Sequence, residues 1–232
     1  IHKYFYSIDH EILLSKLSHL IMDEEVFRLV KTIIDSTNLD YVNQELANVI
    51  KRRKQYIYHS NINEREKIEH LARLAKIPFY EKGKGLPIGN MTSQILAIFY
   101  LNDLDHYIKE KLGVQCYIRY MDDLILIHYD SNYLKKCLHE IEKQVHDLRL
   151  SLNEKTQIYE VTNQGFPFLG YRFVLRKKRL HVLLLSNTKR RILRRLKKVA
   201  DNQKYDFLHQ NYFGYLLPAD SRGFLYEMKK KR

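Results

Sequence analysis

The chain has 232 residues, of which 45% are hydrophobic and 29% are charged, and this is enough for one large globular domain or two small ones. No uncharged apolar run approaches the roughly 18 residues of a membrane-spanning helix, which excludes an integral membrane protein. The two cysteines form no CxxC pair, which argues against a disulfide scaffold or a cysteine-based zinc module. The net charge of +13 arises from residues 176–232, which contain 17 Lys/Arg and 4 Asp/Glu, so we expect a neutral body with a basic segment that binds a polyanion such as nucleic acid.

The predicted elements begin with two amphipathic helices within residues 7–35, and Ser7 or Asp9 is expected to cap the first. Residues 38–80 are polar, and we expect them to form an irregular insertion with one charged helix near 62–75. A glycine-punctuated loop follows, and it leads into a helix of about twenty residues that ends at Gly113.

The second half of the chain begins with two short β-rich runs, 114–120 and 124–128, which predict a hairpin. After it we expect an amphipathic helix, three strands and a basic helix that begins at Ser186 or Asn187, in the order 132–149, 157–161, 166–175, 179–185 and 187–199. This order predicts an α+β core with an appended helical module.

Two adjacent carboxylates, Asp122 and Asp123, lie at the tip of the predicted hairpin. The flanking strands are apolar, and carboxylates beside a buried hairpin are costly unless a cation compensates them. Neighbouring residues on a turn can direct both carboxylates at one point, where two Mg²⁺ ions would serve in-line phosphoryl transfer. The alternative is a turn that uses aspartate only for its turn propensity.

The segment 117–124, Tyr-Ile-Arg-Tyr-Met-Asp-Asp-Leu, resembles the YxDD motif of reverse transcriptases. Four further segments resemble the other blocks of that family in order and spacing, and they are 1–10, 85–94, 152–156 and 168–171. The resemblance implies a right-hand polymerase palm, an antiparallel sheet with helices on one face, over 1–175, followed by a basic primer-grip end and helical thumb over 176–232. It also implies an RNA-directed DNA polymerase that uses two Mg²⁺ ions, with Mn²⁺ as a substitute.

The first block departs from the family pattern. In the family it starts with a catalytic aspartate, and the alignment of Ile1, Phe5 and Ser7 places that aspartate immediately before residue 1. We therefore expect a palm and thumb without the fingers, and little or no polymerase activity from this chain alone. Asp9 lies where the family begins a helix, so an N-cap is expected there and not a metal ligand.

Other roles follow from the resemblance one residue at a time. Asp122 and Asp123 would be the catalytic metal ligands, and Ile1 would add its backbone carbonyl. The remaining residues assigned to the nucleotide are Lys3 and Tyr4 through their backbone amides, Phe5 as an aromatic steric gate, Ile88 and Gly89 in the loop before a helix, Met121 as a flexible filler, and Lys155 as a proton donor to pyrophosphate.

The loop-helix block indicates the subfamily. Most relatives read Gln-Gly-x-x-x-Ser-Pro there, whereas residues 88–94 read Ile-Gly-Asn-Met-Thr-Ser-Gln, which resembles the reverse transcriptases of diversity-generating retroelements and related bacterial lineages. An aliphatic Ile88 cannot form the hydrogen bonds of a glutamine near the nucleotide, so we expect an error-prone enzyme.

The C-terminal part of the resemblance implies contacts with nucleic acid. A primer grip would be formed by Phe168, Leu169, Gly170 and Tyr171. The thumb helix would offer seven cations to the phosphates of a template–primer duplex, and these are Lys189, Arg190, Arg191, Arg194, Arg195, Lys197 and Lys198. The expected partners are an RNA template, a DNA or RNA primer, dNTPs and a retroelement accessory protein, in the cytoplasm and without a membrane.

Two other interpretations remain open. In the first, the chain is a non-catalytic, maturase-like RNA-binding protein on the same scaffold. In the second, it is a polymerase of the group II intron or retron type. An unrelated basic DNA-binding module explains the charge but not the five ordered blocks.

Overall fold

A computed structural model describes residues 1–161, 165–177, 179–197, 199 and 202–230. The fold is α+β, which confirms the predicted class, and it divides into two compact units, residues 1–158 and residues 159–232. Among the described residues, the helices are too short or too polar to cross a lipid bilayer. The functional boundary expected after residue 175 stays a prediction.

The first unit contains most of the helices. In chain order they are α1 (Tyr4–Ser7), α2 (His10–Ser18), α3 (Glu24–Asp35), α4 (Asp40–Tyr58), α5 (Glu64–Ala75), α6 (Met91–Tyr100), α7 (Asn102–His106) and α8 (Ser131–Asp147). Between α7 and α8, the strands β1 (Cys116–Tyr120) and β2 (Asp123–Ile127) form the predicted antiparallel hairpin. A core of buried apolar side chains from α1, α2, α6, α7 and α8 supports this hairpin.

The first predicted helical region is confirmed, with a refinement of its buried face. Leu13 and Leu17 of α2 are buried, whereas Leu20 and Val26, two other apolar residues of this region, are 64% and 48% exposed. Asp9 is the N-cap of α2, because its carboxylate accepts a hydrogen bond of 3.2 Å from the Ile12 amide. The same carboxylate pairs with the guanidinium of Arg149 at 2.8 Å, so it is not free to bind a metal.

The irregular structure predicted for residues 38–80 is wrong in its first half. Residues Asp40–Tyr58 form α4, whereas the charged helix expected near 62–75 is confirmed as α5. The sequence signal for α4 is weak because only Ile57 in it is buried and no side chain caps its first turn. Two hydrogen bonds between the Asn43 carboxamide and the Tyr80 backbone, at 2.8 and 2.9 Å, attach α4 to the chain that follows α5.

The long helix predicted before Gly113 is divided into segments. It consists of α6, α7 and a π-helical turn at Tyr107–Lys111. Gly113 follows with a φ of 68°, a left-handed conformation that commonly ends a helix. The extent of the predicted helix is therefore right, and its continuity is wrong.

The second unit begins with a three-stranded antiparallel sheet of order β3 (Phe166–Phe168), β4 (Tyr171–Arg176) and β5 (Arg179–Leu184), followed by α9 (Ser186–Lys197), α10 (Asn202–Leu216) and α11 (Arg222–Lys230). The strand predicted at 157–161 does not form. The single strand predicted over 166–175 is divided by a turn, because Leu169 and Gly170 have φ values of 49° and 86°. The inner face of α9 is formed by Thr188, Ile192 and Leu196, which are buried.

Candidate active site

The β1–β2 hairpin places the two aspartates at its tip. Tyr120 pairs with Asp123, which leaves Met121 and Asp122 as the two-residue turn. Met121 has a φ of 55°, a conformation that few residues other than glycine adopt and that is enriched at functional sites. The Asp122 side chain is half-buried, and Asp123 is exposed.

Arg119 holds this turn from within the hairpin. Its Nη1 donates to the Met121 carbonyl at 3.0 Å, and its Nη2 donates to the Ile98 carbonyl at 3.2 Å. The same guanidinium forms a two-point contact with the Asp105 carboxylate, with Nε at 2.7 Å from Oδ1 and Nη2 bonded to Oδ2. Only 9% of the Arg119 side chain is exposed. The pair therefore fixes the backbone of the turn that carries Asp122.

Electrostatic attraction stabilises the contact between Arg119 and Asp105. Burial acts to lower the pKa of Arg119, but the Asp105 carboxylate outweighs burial and raises it. The Tyr117 hydroxyl donates to Asp105 at 2.6 Å. Burial, together with this hydrogen bond to the carboxylate, raises the pKa of Tyr117, so the phenol stays protonated at neutral pH.

The first residues of the chain lie beside the hairpin tip. The amino group of Ile1 donates to the Asp122 carbonyl at 2.9 Å, and the His2 amide donates to the Ser151 carbonyl at 2.9 Å. Tyr4 is buried, and its hydroxyl donates to the carbonyl of Ala97. Burial raises the pKa of Tyr4, and the nearby Asp122 charge acts in the same direction.

The two hairpin carboxylates have no protein partner in the described part of the chain. Within the described residues, neither Asp122 nor Asp123 forms an ion pair or accepts a hydrogen bond through its side chain, and no group of three or more His, Cys, Asp or Glu side chains is close enough to hold a metal. Mg²⁺ prefers such hard oxygen donors and binds through one or two carboxylates while it retains water and phosphate ligands. The donor set fits Mg²⁺ completed by substrate oxygens, and it does not fit a metal held by protein ligands alone.

A second loop is attached to the first block. The Leu86 amide donates to the Phe5 carbonyl at 2.8 Å, and the Gly85 amide donates to the Ile8 carbonyl at 2.8 Å. Gly85 has a φ of 87°, and a Cβ on it would lie 2.7 Å from the Tyr80 ring, so no other residue fits. Ile88, further along the loop, has a side chain that is 59% exposed.

The structure thus connects most of the predicted nucleotide-binding segments of the first unit: Ile1, Lys3, Tyr4 and Phe5, the loop with Ile88 and Gly89, and the tip with Met121. Lys155 is placed differently. Its backbone amide donates a hydrogen bond to the Asn153 carboxamide oxygen at 3.0 Å, and its side chain is exposed. No hydrogen bond or ion pair among the described residues joins Lys155 to the aspartates, and its role stays a prediction.

The predicted primer grip is a rigid turn of the second unit. The Tyr171 hydroxyl donates to the Tyr215 carbonyl at 2.5 Å, and the Tyr215 hydroxyl donates to the Leu169 carbonyl at 3.0 Å. A Cβ on Gly170 would lie 2.2 Å from the Tyr215 oxygen, so glycine is required there. Phe168 pairs with Tyr171 across the turn.

The predicted thumb cations are mostly exposed on α9. Arg190, Arg191, Arg194, Arg195 and Lys197 are exposed, whereas Lys189 is half-buried with its ammonium 5.8 Å from the centre of the Phe224 ring. Arg195 also contacts the Tyr212 hydroxyl at 3.4 Å. Lys198 lies outside the described residues.

The pair of Arg119 and Asp105 is the part of the site that sequence reasoning missed. A signal was present, because an arginine in an otherwise apolar strand favours a carboxylate partner. The sequence before the hairpin offers three aspartates or glutamates within 103–110, and only the fold selects Asp105 among them.

A pair of adjacent aspartates at the tip of a β-hairpin, held by an α+β unit and followed by a basic helix, is typical of the palm of nucleic-acid polymerases. Residues 1–173, most of the chain, match the family described as reverse transcriptase (RNA-dependent DNA polymerase). The chain therefore belongs to the reverse transcriptase family. None of the curated proteins compared with it gives a match.

Proposed function

We propose that this chain is the palm and thumb of an RNA-directed DNA polymerase, which transfers dNTPs to a primer 3′-hydroxyl on an RNA template. Family membership over residues 1–173 supports the reaction class. The single observation that carries the proposal is the tip of the β1–β2 hairpin, where no cation or hydrogen-bond donor of the described residues compensates the side chains of Asp122 and Asp123. The hairpin itself is only half-buried, with Ile118 and Ile127 54% and 46% exposed, so the absence of a protein partner, and not burial, indicates a site that is completed by an external cation.

In this proposal, Asp122, Asp123 and the Ile1 carbonyl hold two Mg²⁺ ions. Bound divalent cations would supply charge neutralisation at the phosphates and lower the pKa of the primer hydroxyl. Arg119 keeps the turn in the conformation that presents the carboxylates. A residue joined to the Ile1 nitrogen would lie beside the Asp122 carbonyl, since these two atoms are 2.9 Å apart. A third carboxylate at that residue would thus lie within reach of the pair.

The remaining first-unit residues bind and orient the nucleotide. The amides of Lys3 and Tyr4 face the triphosphate, the Phe5 ring excludes a ribose 2′-hydroxyl, and Met121 fills the space beside the primer terminus. Lys155 holds a proton for the pyrophosphate leaving group. Its ammonium is exposed and has no ion-pair partner among the residues that the structure describes, which is compatible with movement toward the site when substrate binds.

The second unit binds the template–primer duplex. The turn Phe168–Tyr171 supports the primer, and the exposed cations of α9 bind phosphates without reading bases. The exposed aliphatic Ile88 supports an error-prone enzyme of the kind that diversity-generating retroelements encode. An accessory protein of the retroelement and a cytoplasmic location belong to the same proposal.

Primer extension on an RNA template tests the function. The chain is assayed with Mg²⁺ and dNTPs, both as residues 1–232 and with an aspartate joined ahead of Ile1. We expect extension in the second form, and a loss of about a hundredfold or more in Asp122→Asn and Asp123→Asn, because each removes a ligand charge from the reacting phosphates. Asp147→Asn, an exposed aspartate at the end of α8, is the matched control.

Two results would contradict the proposal. Extension that survives both substitutions would show that the hairpin carboxylates are not catalytic. Binding of RNA without any extension in either form would favour the non-catalytic RNA-binding alternative.

A further inference from the structure

Helix α4 has a one-sided distribution of charge that the proposed reaction does not use. Four successive cations, Lys51, Arg52, Arg53 and Lys54, lie in its C-terminal half, whereas both of its acidic residues, Asp40 and Glu45, lie in the N-terminal half. The first three cations are exposed, and the fourth is half-buried. We call these four cations, with Tyr56 and Tyr58, the α4 basic surface.

The common structural reasons for a basic run on a helix do not apply here. An ion pair along a helix needs an acid three or four residues away, but the positions at that spacing from the four cations contain no Asp or Glu. The helix dipole favours cations within the last turn, and the last turn of α4 contains none. Within the described residues, no ion pair joins these cations to a carboxylate.

The neighbouring helix does not neutralise the run either. α5 packs against α4 and contains three glutamates. Glu64 pairs with Lys67 and Glu69 pairs with Arg73, both within α5. Glu66 also has a partner. The positive charge of the α4 basic surface is therefore available to an external anion.

Aromatic side chains adjoin these cations. The rings of Tyr56 and Tyr58 are exposed, with 65% and 61% of each residue accessible. The Arg53 guanidinium lies 5.1 Å from the centre of the Tyr56 ring, and Tyr58 follows Lys54 by one helical turn. Cations interleaved with exposed aromatic rings are the combination with which proteins bind single-stranded nucleic acid, where phosphates pair with cations and bases stack on rings.

We propose that the α4 basic surface binds a single-stranded nucleic acid, with phosphates on Lys51 and Arg52 and a base stacked on Tyr56. The surface belongs to a helix that contains none of the residues assigned to catalysis, the primer grip or the thumb. It is a further binding site for the strand outside the duplex, and its binding requires no metal and no nucleotide.

The test is the affinity of the full chain for fluorescent 20-nucleotide oligo(U) RNA and oligo(dT) DNA, measured by anisotropy without divalent metal and over a range of salt concentrations. In Lys51→Gln/Arg52→Gln we expect a higher Kd. We also expect the slope of log affinity against log salt concentration to fall in magnitude by about 1.4, since each phosphate contact with a single strand contributes roughly 0.7. Lys135→Gln/Lys136→Gln removes the same charge from exposed positions of α8 and is the matched control.

The stacking contact is tested separately. Tyr56→Ala should weaken binding at least about fivefold without a change in salt slope, whereas Tyr56→Phe should retain it, because the ring and not the hydroxyl stacks. Circular dichroism establishes that each variant is folded. Equal affinities for the RNA and the DNA oligonucleotide would indicate contacts to the backbone and the base faces alone. A higher affinity for RNA would indicate an additional contact to the 2′-hydroxyl. Both results support the site.

Three results would overturn the inference: equal effects of the α4 variant and the α8 control, unchanged binding in the α4 variants, or α4-dependent binding to phosphatidylserine vesicles in place of oligonucleotide. None of these readouts depends on polymerisation. A chain that binds through α4 but does not extend primers would contradict the proposed function alone.

Discussion

The proposed effect of Ile88 on copying fidelity can be tested by a single substitution. Its side chain is aliphatic and 59% exposed in the loop that is anchored to Phe5 through Leu86. We predict that Ile88→Gln lowers the misincorporation rate about tenfold, because a side-chain amide restores hydrogen bonds that a mispaired nucleotide leaves unmade. Sequencing of the products that are extended by the form with an aspartate joined ahead of Ile1 measures the rate. Ile88→Leu, which adds no polar group, is the control, and an unchanged error spectrum in Ile88→Gln would count against the role.

Arg119 is a positioning residue for the aspartate turn. Arg119→Lys keeps the charge but removes the planar fork that binds Asp105 and the Met121 carbonyl together. We predict a fall in kcat of about tenfold to a hundredfold with a smaller change in the KM for dNTP, because the reacting groups are misplaced while the nucleotide contacts remain. Steady-state primer extension by the form with the added aspartate, measured well below the melting temperature, separates this effect from a loss of stability.

The control for that substitution is Arg73→Lys, which alters an exposed arginine–glutamate pair on α5. Exposed ion pairs contribute little to stability, so the kcat of this variant should equal that of the unmodified protein. Asp105→Asn should act in the same direction as Arg119→Lys. A folded Arg119→Lys protein with unchanged kcat would show that the pair stabilises the fold without positioning the turn.

At the residue scale, sequence was informative where chemistry requires particular residue types in a contiguous motif. Asp122, Asp123 and the Asp9 cap are local features, and the structure places them on the predicted hairpin tip and helix start. The partner of Arg119 was not predictable, because Asp105 lies in a different element and only tertiary packing brings the two together. The pairing of Asp9 with Arg149, 140 residues apart, was hidden for the same reason.

At the scale of elements, the start of α2 depends on the charge of Asp9. Burial acts to raise the pKa of this carboxyl, but the Arg149 guanidinium and the Ile12 amide lower it below its usual value. A carboxyl with a lowered pKa stabilises the fold above the pKa of the unfolded chain, and this stabilisation is lost as the pH falls through about 4 and below.

We therefore predict that Asp9→Asn, which retains a helix cap, lowers the free energy of unfolding at pH 7 and flattens its dependence on pH between 5 and 3. Urea unfolding at several pH values measures both. Glu11→Gln removes the other, 80% exposed carboxylate that contacts Arg149 and should change stability less. Identical pH profiles for the Asp9→Asn and unmodified proteins would contradict the assignment.

Element boundaries were predictable where apolar periodicity was strong and failed where it was weak. The hairpin and α8 have apolar stripes and were placed correctly, whereas α4 is polar over most of its length and was expected to be irregular. The turn at Leu169 and Gly170 interrupts an otherwise β-rich run, and the hydroxyl of Tyr215, from a distant helix, donates to the Leu169 carbonyl in that turn. Tertiary contacts of this kind carry no local sequence signal.

At the scale of the whole molecule, the excess positive charge is concentrated after residue 175. Binding through such a surface releases counterions, so affinity for duplex depends steeply on salt. We predict that Arg190→Gln/Arg191→Gln, which removes two exposed cations of α9, reduces the salt slope for an RNA–DNA hybrid by about 1.8 and weakens all hybrid sequences equally. Anisotropy titrations measure both, and a sequence-dependent loss would contradict backbone binding.

The central claim is that Asp122 and Asp123 together form a divalent-cation site at the hairpin tip, and Mn²⁺ titration followed by electron paramagnetic resonance in the presence of dNTP tests it most directly. The proposal predicts an Mn²⁺ affinity at least about tenfold weaker in Asp122→Asn and in Asp123→Asn, with Asp147→Asn unchanged, because each ligand charge is removed from the metal. Equal Mn²⁺ affinity in all four proteins would contradict it.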